Sequence, residues 1–256
     1  MDEQNKKMRE FIYSLIQLKP GISLLDLGCG KGYDMMRIAE LADDKSEFYG
    51  MDSIQSSVEM AIKNYGHDKR LNFISGDFSN GIPFEDEKFD VVFSNNMLEC
   101  ITDKQALLNE VYRVLKPKGQ VVFAHFDWDS QLLDGSDKGL IRKIVQTFNE
   151  WKQDWMTDID SWMGRRLWRT FQESGLFHSG RIETFVLTNT EFSEPNYGHM
   201  MIRDFYSLVK RGFIKEEEYR TFITDIEEFN AKGHYFYSIT MYLFVGEKSK
   251  KAGYIL

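Results

Sequence analysis

The sequence predicts an α/β protein built on an open, doubly wound, mostly parallel sheet. Short apolar runs alternate with helical patterns from residue 8 to residue 126, and the first run ends in a glycine-rich turn. Acids also stand at or just past the ends of the first three runs. Strict strand–helix alternation requires right-handed crossovers, which lay helices on both faces of a parallel sheet. In such a sheet a ligand sits beyond the carboxyl ends of the strands.

Met8, Phe11, Ile12, Leu15 and Ile16 recur at helical spacing, so residues 8–18 are expected to form a helix stopped by Pro20 and Gly21. Residues 22–27 are a short apolar strand, and 35–41 the helix after it. A second strand covers 48–52, an amphipathic helix 54–65 and a third strand 71–75. Residues 89–93 make the fourth strand and 104–115 the next helix, which Lys116-Pro117-Lys118-Gly119 ends before strand 120–126. Past Trp128 come helices at 139–155 and 162–174, the latter ended by Gly175. Residues 181–187 and 235–245, rich in β-branched and aromatic side chains, read as strands, with helices over 197–210 and 215–232 between them.

The 256 residues carry 32 basic and 40 acidic side chains, a net charge of −8. That balance argues against a broad nucleic-acid-gripping face, which needs a concentrated positive field. No run approaches the roughly 18 consecutive apolar residues of a membrane span, and the first residues lack the order of a signal peptide. The only cysteines, Cys29 and Cys100, are too few for a disulfide framework or a cysteine zinc site, so no metal is expected and free thiols fit a reducing cytoplasm.

The most informative segment is Leu24-Leu25-Asp26-Leu27-Gly28-Cys29-Gly30-Lys31-Gly32. Its alternate glycines let the backbone turn sharply and approach a ligand where a Cβ would collide. The helix N-terminus that follows offers N–H groups and partial positive charge. Asp52 ends the second strand, roughly 20 residues on, where an acid accepts two ribose hydroxyls. Asp77, in Gly76-Asp77-Phe78, follows the third strand, and an acid beside an aromatic ring suits an adenine. Each acid alone reads equally as a solvated loop carboxylate or a helix cap. Three of them behind one glycine loop point to a nucleotide-bearing ligand.

Over residues 24–128 the sequence resembles the class I S-adenosylmethionine-dependent methyltransferases, of the bacterial small-molecule type. Asp26-Leu27-Gly28-Cys29-Gly30-Lys31-Gly32 matches the first motif and Gly50-Met51-Asp52 the ribose-binding acid. Gly76-Asp77-Phe78, Ile82-Pro83-Phe84 and Lys88-Phe89-Asp90-Val91-Val92 resemble the next motif. Asn95-Asn96-Met97-Leu98-Glu99 and Val114-Leu115-Lys116-Pro117-Lys118-Gly119-Gln120 resemble later blocks. The resemblance implies a Rossmann-like seven-stranded, mostly parallel sheet with a reversed last strand and inserted helices. It also implies S-adenosyl-L-methionine as cofactor and in-line methyl transfer to a small-molecule acceptor. Gly28 and Gly30 would line the methionine end, Asp52 hold the ribose, and Asp77 with Phe78 hold the adenine. The backbone near Asn95 would close over the methionine amine. Asp26, Cys29, Ser53 and Tyr13 complete the expected cofactor contacts, with core packing as the alternative for Tyr13.

A single domain over 1–256 is expected, with a cofactor-binding half at 20–130 and helical insertions at 131–180 and 190–233. The second insertion is far longer than a hairpin loop and reads either as a lid over the substrate mouth or as added core. Cys100 stands where many relatives carry histidine after Leu-Glu, so no base is assumed there.

Methyl transfer asks mainly for positioning and dryness, and for a base only when the acceptor arrives protonated. His125, near the end of strand five, is the candidate base, with a structural hydrogen-bonded histidine as the alternative. Asp129 either orients substrate or caps the helix that follows. Trp128, placed just past the strand, and His199, in the second insertion, are the candidate substrate contacts; His199 also reads as a surface histidine. Trp128, Trp151, Trp155, Trp162 and Trp168 lie close in sequence, and an aromatic pocket suits a ring or an amine cation. Trp151 and Trp155, one helical turn apart, also read as core. Arg165, Arg166 and Arg169 either meet an anionic group or face solvent. Two rival readings stay open. One is a nicotinamide-dependent dehydrogenase, although Tyr33 stands where its third glycine belongs; the other is an S-adenosylmethionine-binding protein without catalysis. The expected partner is a small acceptor, not nucleic acid or membrane, and pairing as a homodimer is left open.

Overall fold

The apolar runs at 22–27, 48–52, 71–75 and 89–93 become neighbouring strands because each is flanked by a helix that covers it. The structure, a computed structural model, describes residues 2–154, 156 and 158–249. Its strands are β1 (Ser23–Leu27), β2 (Glu47–Asp52), β3 (Leu71–Ser75), β4 (Phe89–Asn95), β5 (Leu115–Leu133), β6 (Phe177–Asn189) and β7 (Tyr237–Lys248). They form one seven-stranded sheet in the order β3-β2-β1-β4-β5-β7-β6. The pairings among β1 to β5 are parallel, whereas β7 runs antiparallel to both β5 and β6 and is the reversed strand.

The helices are α1 (Glu3–Ser14), α2 (Tyr33–Ala39), α3 (Gln55–Tyr65), α4 (Lys104–Val114), α5 (Lys138–Glu150), α6 (Met163–Ser174), α7 (Tyr197–Asp204), α8 (Tyr206–Lys210) and α9 (Glu216–Ala231). Successive strand residues point to opposite faces, so Leu24 and Leu25 enter two different cores. Leu24, Val91 and Val122 pack with α1, α2, α5 and the inserted helices α7–α9. Leu25, Val92 and Val121 pack with Leu108 and Val111 of α4 and with Leu167 and Phe171 of α6. Among the described residues no helix is long and apolar enough to cross a membrane.

Several boundaries differ from the sequence expectation, each for a physical reason. Helix α1 ends at Ser14 because the Gln120 side chain of β5 takes over the chain beyond it, donating to the Leu15 carbonyl at 2.9 Å and accepting from the Gln17 N–H at 2.8 Å. Strand β5 continues to Leu133 because β7 is a long partner, pairing from Gln120–Glu247 to Leu133–Tyr237 with an irregularity between Asp127 and Leu132. Trp128 and Asp129 therefore lie inside the bulged stretch of the strand. The cap of α5 is Asp137, which accepts from the Gly139 and Leu140 N–H groups, so Asp129 does not fill that role. Helix α5 stops at Glu150, and the expected Trp151–Trp155 pairing lies outside the described residues because Trp155 does. The helix expected over 197–210 is divided at Phe205 into α7 and α8.

Candidate active site

The glycine loop after β1 is pinned to β2. Gly28 and Cys29 donate their N–H groups to the Met51 carbonyl at 2.8 and 3.2 Å. Gly28 has φ +77°, and a Cβ there would come within 2.6 Å of the Met97 Cβ, so conformation and space both demand glycine. Asp52, at the tip of β2, accepts from the Gly30 N–H through Oδ2 and from the Ile54 N–H through Oδ1, each at 2.8 Å. Its carboxylate thereby sets both the loop and the start of α3. Cys29 turns inward against Gly50, where a Cβ would lie 2.8 Å from its Sγ. Burial pushes that thiol well above its usual range.

A cavity of about 300 Å³ opens at these strand tips and brings together Gly28, Asp52, Ser53, Asp77 and Phe78, with Asn96 and Met97 closing its other side. Asp77 is exposed, and hydrogen bonds from Ser79 hold its carboxyl below the usual range. Cys100 also lines this cavity, and burial pushes its thiol up to about 12.

Beneath the loop lies a polar network that the cavity walls do not include. Asp26 is 2% exposed, and its Oδ2 has no hydrogen-bond partner among the described residues. Burial first, and then the neighbouring Asp34 and Asp52 carboxylates, push its carboxyl well above the usual range. Asp34, in the first turn of α2, accepts from the Arg9 guanidinium and the Tyr13 hydroxyl of α1. The Asn95 Nδ2 donates to Asp34 Oδ2 at 3.0 Å, while Asn95 Oδ1 is buried without a partner. Tyr13 is thus a buried side chain whose hydroxyl serves this network.

Asn96 is the wall shared with a second cavity of about 280 Å³. It has φ +56°, a left-handed conformation that asparagine tolerates, and its Oδ1 accepts the Phe126 N–H at 2.8 Å. The second cavity is lined by Trp128, Phe148, Trp151 and Met201, with Glu99 and Asp204 as its carboxylates. Met201 and Asp204 belong to α7, so the second insertion supplies part of the wall. Glu99 is 3% exposed, and Trp128 donates its indole N–H to Oε2 at 2.6 Å. His125 lies behind it with Nε2 4.0 Å from Glu99 Oε2. The His125 Nδ1 meets the Phe126 carbonyl at 2.8 Å; a carbonyl only accepts, so Nδ1 carries the proton. In the neutral ring Nε2 is then an acceptor, buried and without a partner.

Other expected residues are not brought here. Asp129 is exposed on a separate open groove, accepting from the Trp162 indole and from Asn149. His199 packs at a tilt against Phe192, with ring centroids 4.6 Å apart, and lines neither cavity. Arg165, Arg166 and Arg169 pair with Asp127, Asp160 and Glu173. Asn96 and Glu99 stand inside the motif at residues 95–99, where the sequence alone assigns them no role. Their signal is the run of polar residues immediately past β4, the strand beside the glycine loop.

Residues 18–195 match the family model described as a methyltransferase domain, and the chain belongs to that family. Its sheet is that of a class I S-adenosylmethionine-dependent methyltransferase. An uncharacterized 37.1 kDa protein in transposon TN4556 of Streptomyces fradiae is 24% identical over 94% of this chain and 67% of its own length. The demethylmenaquinone methyltransferase of Staphylococcus epidermidis is 30% identical over 47% of this chain and 49% of its own length. The chain therefore spans about half the length of that relative. An arsenite methyltransferase of Aquipseudomonas alcaligenes is 33% identical over 46% of this chain and 36% of its own. Among solved structures, the YcgJ protein of Bacillus subtilis matches with TM-score 0.62 and 17% identity, covering 96% of this chain and 99% of that one. Phosphoethanolamine N-methyltransferase 2 of Haemonchus contortus, in complex with S-adenosyl-L-methionine, matches with TM-score 0.58 and 16% identity over 95% of this chain and 53% of that one. These structural likenesses concern the fold.

Proposed function

We propose that the protein transfers a methyl group from S-adenosylmethionine to a small-molecule acceptor. The observation that carries this reading is the pair of neighbouring cavities that share Asn96 as a wall, one at three strand tips and the other lined by aromatic rings. The residues fit the cofactor. The left-handed Gly28 leaves a cradle that a Cβ would fill, and the unpartnered oxygens of Asp26 and Asn95 suit an ammonium with its three donors. Asp52 and Ser53 would hold the ribose, and Asp77 with Phe78 the adenine.

When bound, S-adenosylmethionine supplies a methyl group on a cationic sulfur, which an acceptor lone pair takes in line while the S–C electron pair returns to sulfur. The chain's own work is positioning and exclusion of water. Met97 and Ile101 close the first cavity, and Trp128, Phe148 and Trp151 dry the second. Glu99, rather than His125, faces an acceptor; His125 sits behind it and positions it. The demethylmenaquinone and arsenite methyltransferases among the relatives are named for small acceptors, which supports an acceptor of that size. Calorimetric titration with S-adenosylmethionine, S-adenosylhomocysteine and NADH tests the reading. Saturable binding of the first two is expected, and tight NADH binding with no response to either would reverse it.

A further inference from the structure

Resting on the methyltransferase reading, we propose that the second cavity takes an organic amine, an apolar body carrying a protonated nitrogen that seats on Glu99. The ionisable groups among its described lining residues are Glu99 and Asp204, with no lysine, arginine or histidine beside them. Asp204 is exposed at the rim, whereas Glu99 is buried at 3% exposure. Oε2 of Glu99 takes the Trp128 indole N–H at 2.6 Å. The cations near it are committed elsewhere or lie outside the lining. Lys104 donates its Nζ to the Ile101 carbonyl at 2.8 Å, and His125, with Nε2 4.0 Å away, does not line the cavity.

A carboxylate taken out of water is costly, and burial raises the proton affinity of Glu99 over the opposing influence of His125 and Lys104. An ammonium in direct contact supplies a closer charge than His125 at 4.0 Å, together with donors of its own. The rings of Trp128 and Phe148 in the lining favour the same ligand, because ring quadrupoles attract cations, most strongly when water is excluded. Trp151 already carries the Arg211 guanidinium 5.6 Å from its centroid. An anionic acceptor would meet two like charges, and a neutral one would bring Glu99 no counter-charge.

The same contact prepares the nitrogen. An ammonium has no lone pair until it sheds a proton, and the Glu99 carboxylate takes that proton. The nitrogen then forms its bond to the methyl carbon and carries the positive charge that leaves sulfur. Glu99 returns its proton to solvent when the product departs. Its raised proton affinity suits this exchange better than an ordinary carboxylate would.

The experiment titrates the whole chain, with and without S-adenosylhomocysteine, with benzylamine, phenethylamine and 3-phenylpropylamine. The matching alcohols and carboxylates serve as neutral and anionic probes of the same shape. At least one amine is expected to bind about tenfold more tightly than its alcohol, as a desolvated cation–π and charge contact warrants. Its carboxylate should bind more weakly still. Glu99→Gln should remove that preference and leave S-adenosylhomocysteine affinity unchanged. Asp204→Asn, at an exposed rim position that does not threaten folding, should weaken the amine about twofold and spare the alcohol. The inference is overturned if no amine binds more tightly than its alcohol, or if folded Glu99→Gln keeps the full preference. Failure of S-adenosylhomocysteine to bind would instead strike the methyltransferase reading itself, so the two failures are told apart.

Discussion

Asp52 does two jobs with one carboxylate. Both oxygens accept backbone N–H groups, from Gly30 and Ile54, so it is oriented before any ligand arrives. It also lines the first cavity beside Ser53. Asp52→Ala should therefore weaken S-adenosylhomocysteine binding by about 1.5–3 kcal/mol, roughly 10- to 150-fold by calorimetry. Asp52→Asn, which keeps one acceptor oxygen, should fall between. Unchanged affinity in a folded Asp52→Ala protein would remove this residue from the site. His125 acts at one remove, since it lines neither cavity and stands 4.0 Å from Glu99 with its other ring nitrogen on the Phe126 carbonyl. His125→Ala should lower kcat by at least about tenfold through a misplaced Glu99, while S-adenosylhomocysteine affinity stays level. Full turnover would retire it as a positioning residue.

The loop between β1 and α2 works as a hinge of fixed shape. Gly28 meets two separate constraints, its φ of +77° and the Met97 side chain 2.6 Å from a would-be Cβ. Gly28→Ala should lower Tm and abolish measurable cofactor binding, because alanine fits neither. Met97→Gly in the same chain should recover part of the Tm, since it removes the clashing Cβ and leaves the backbone strain. Full recovery would show that the dihedral costs nothing. Elements whose shape is set locally were legible in the sequence: the alternating strands, the glycine turn and the acids at strand ends all follow from short-range pattern. Strand β5 was underestimated because its length is set by its partner β7, more than a hundred residues away in the chain. The break between α7 and α8 was invisible because both sides present the same apolar face at helical spacing. The role of Glu99 is not legible in the sequence because Trp128, Trp151 and Asp204, which share its cavity, come from three distant segments. Sequence spacing carries no trace of that meeting.

At the scale of the whole molecule, the acids gathered at the strand tips make the site a stored electrostatic cost. Asp26 and Glu99 are both buried, and burial leads the causes that raise their proton affinities. An unfolded chain releases these protons at about pH 3.9 for aspartate and 4.3 for glutamate. Above those values, and up to the raised native ones, the folded protein holds protons that the unfolded chain has lost. Stability therefore falls as pH rises through that window. Asp77 has the opposite sign: its carboxyl is lowered, so its small contribution is present above the ordinary range and is lost on acidification. Asp26→Asn keeps the shape and removes the ionisation. Its Tm relative to the unaltered protein should rise steadily from about pH 4 upward, the gap being widest at the alkaline end. A ligand ammonium lodged between Asp26 and Asn95 would offset the same cost. The Tm increase that saturating S-adenosylhomocysteine gives the unaltered protein should accordingly grow with pH, and the growth should vanish in Asp26→Asn. Thermal melts across that range measure both slopes together. Parallel slopes in the two proteins would mean that Asp26 titrates as an ordinary carboxylate and that the ammonium seats elsewhere.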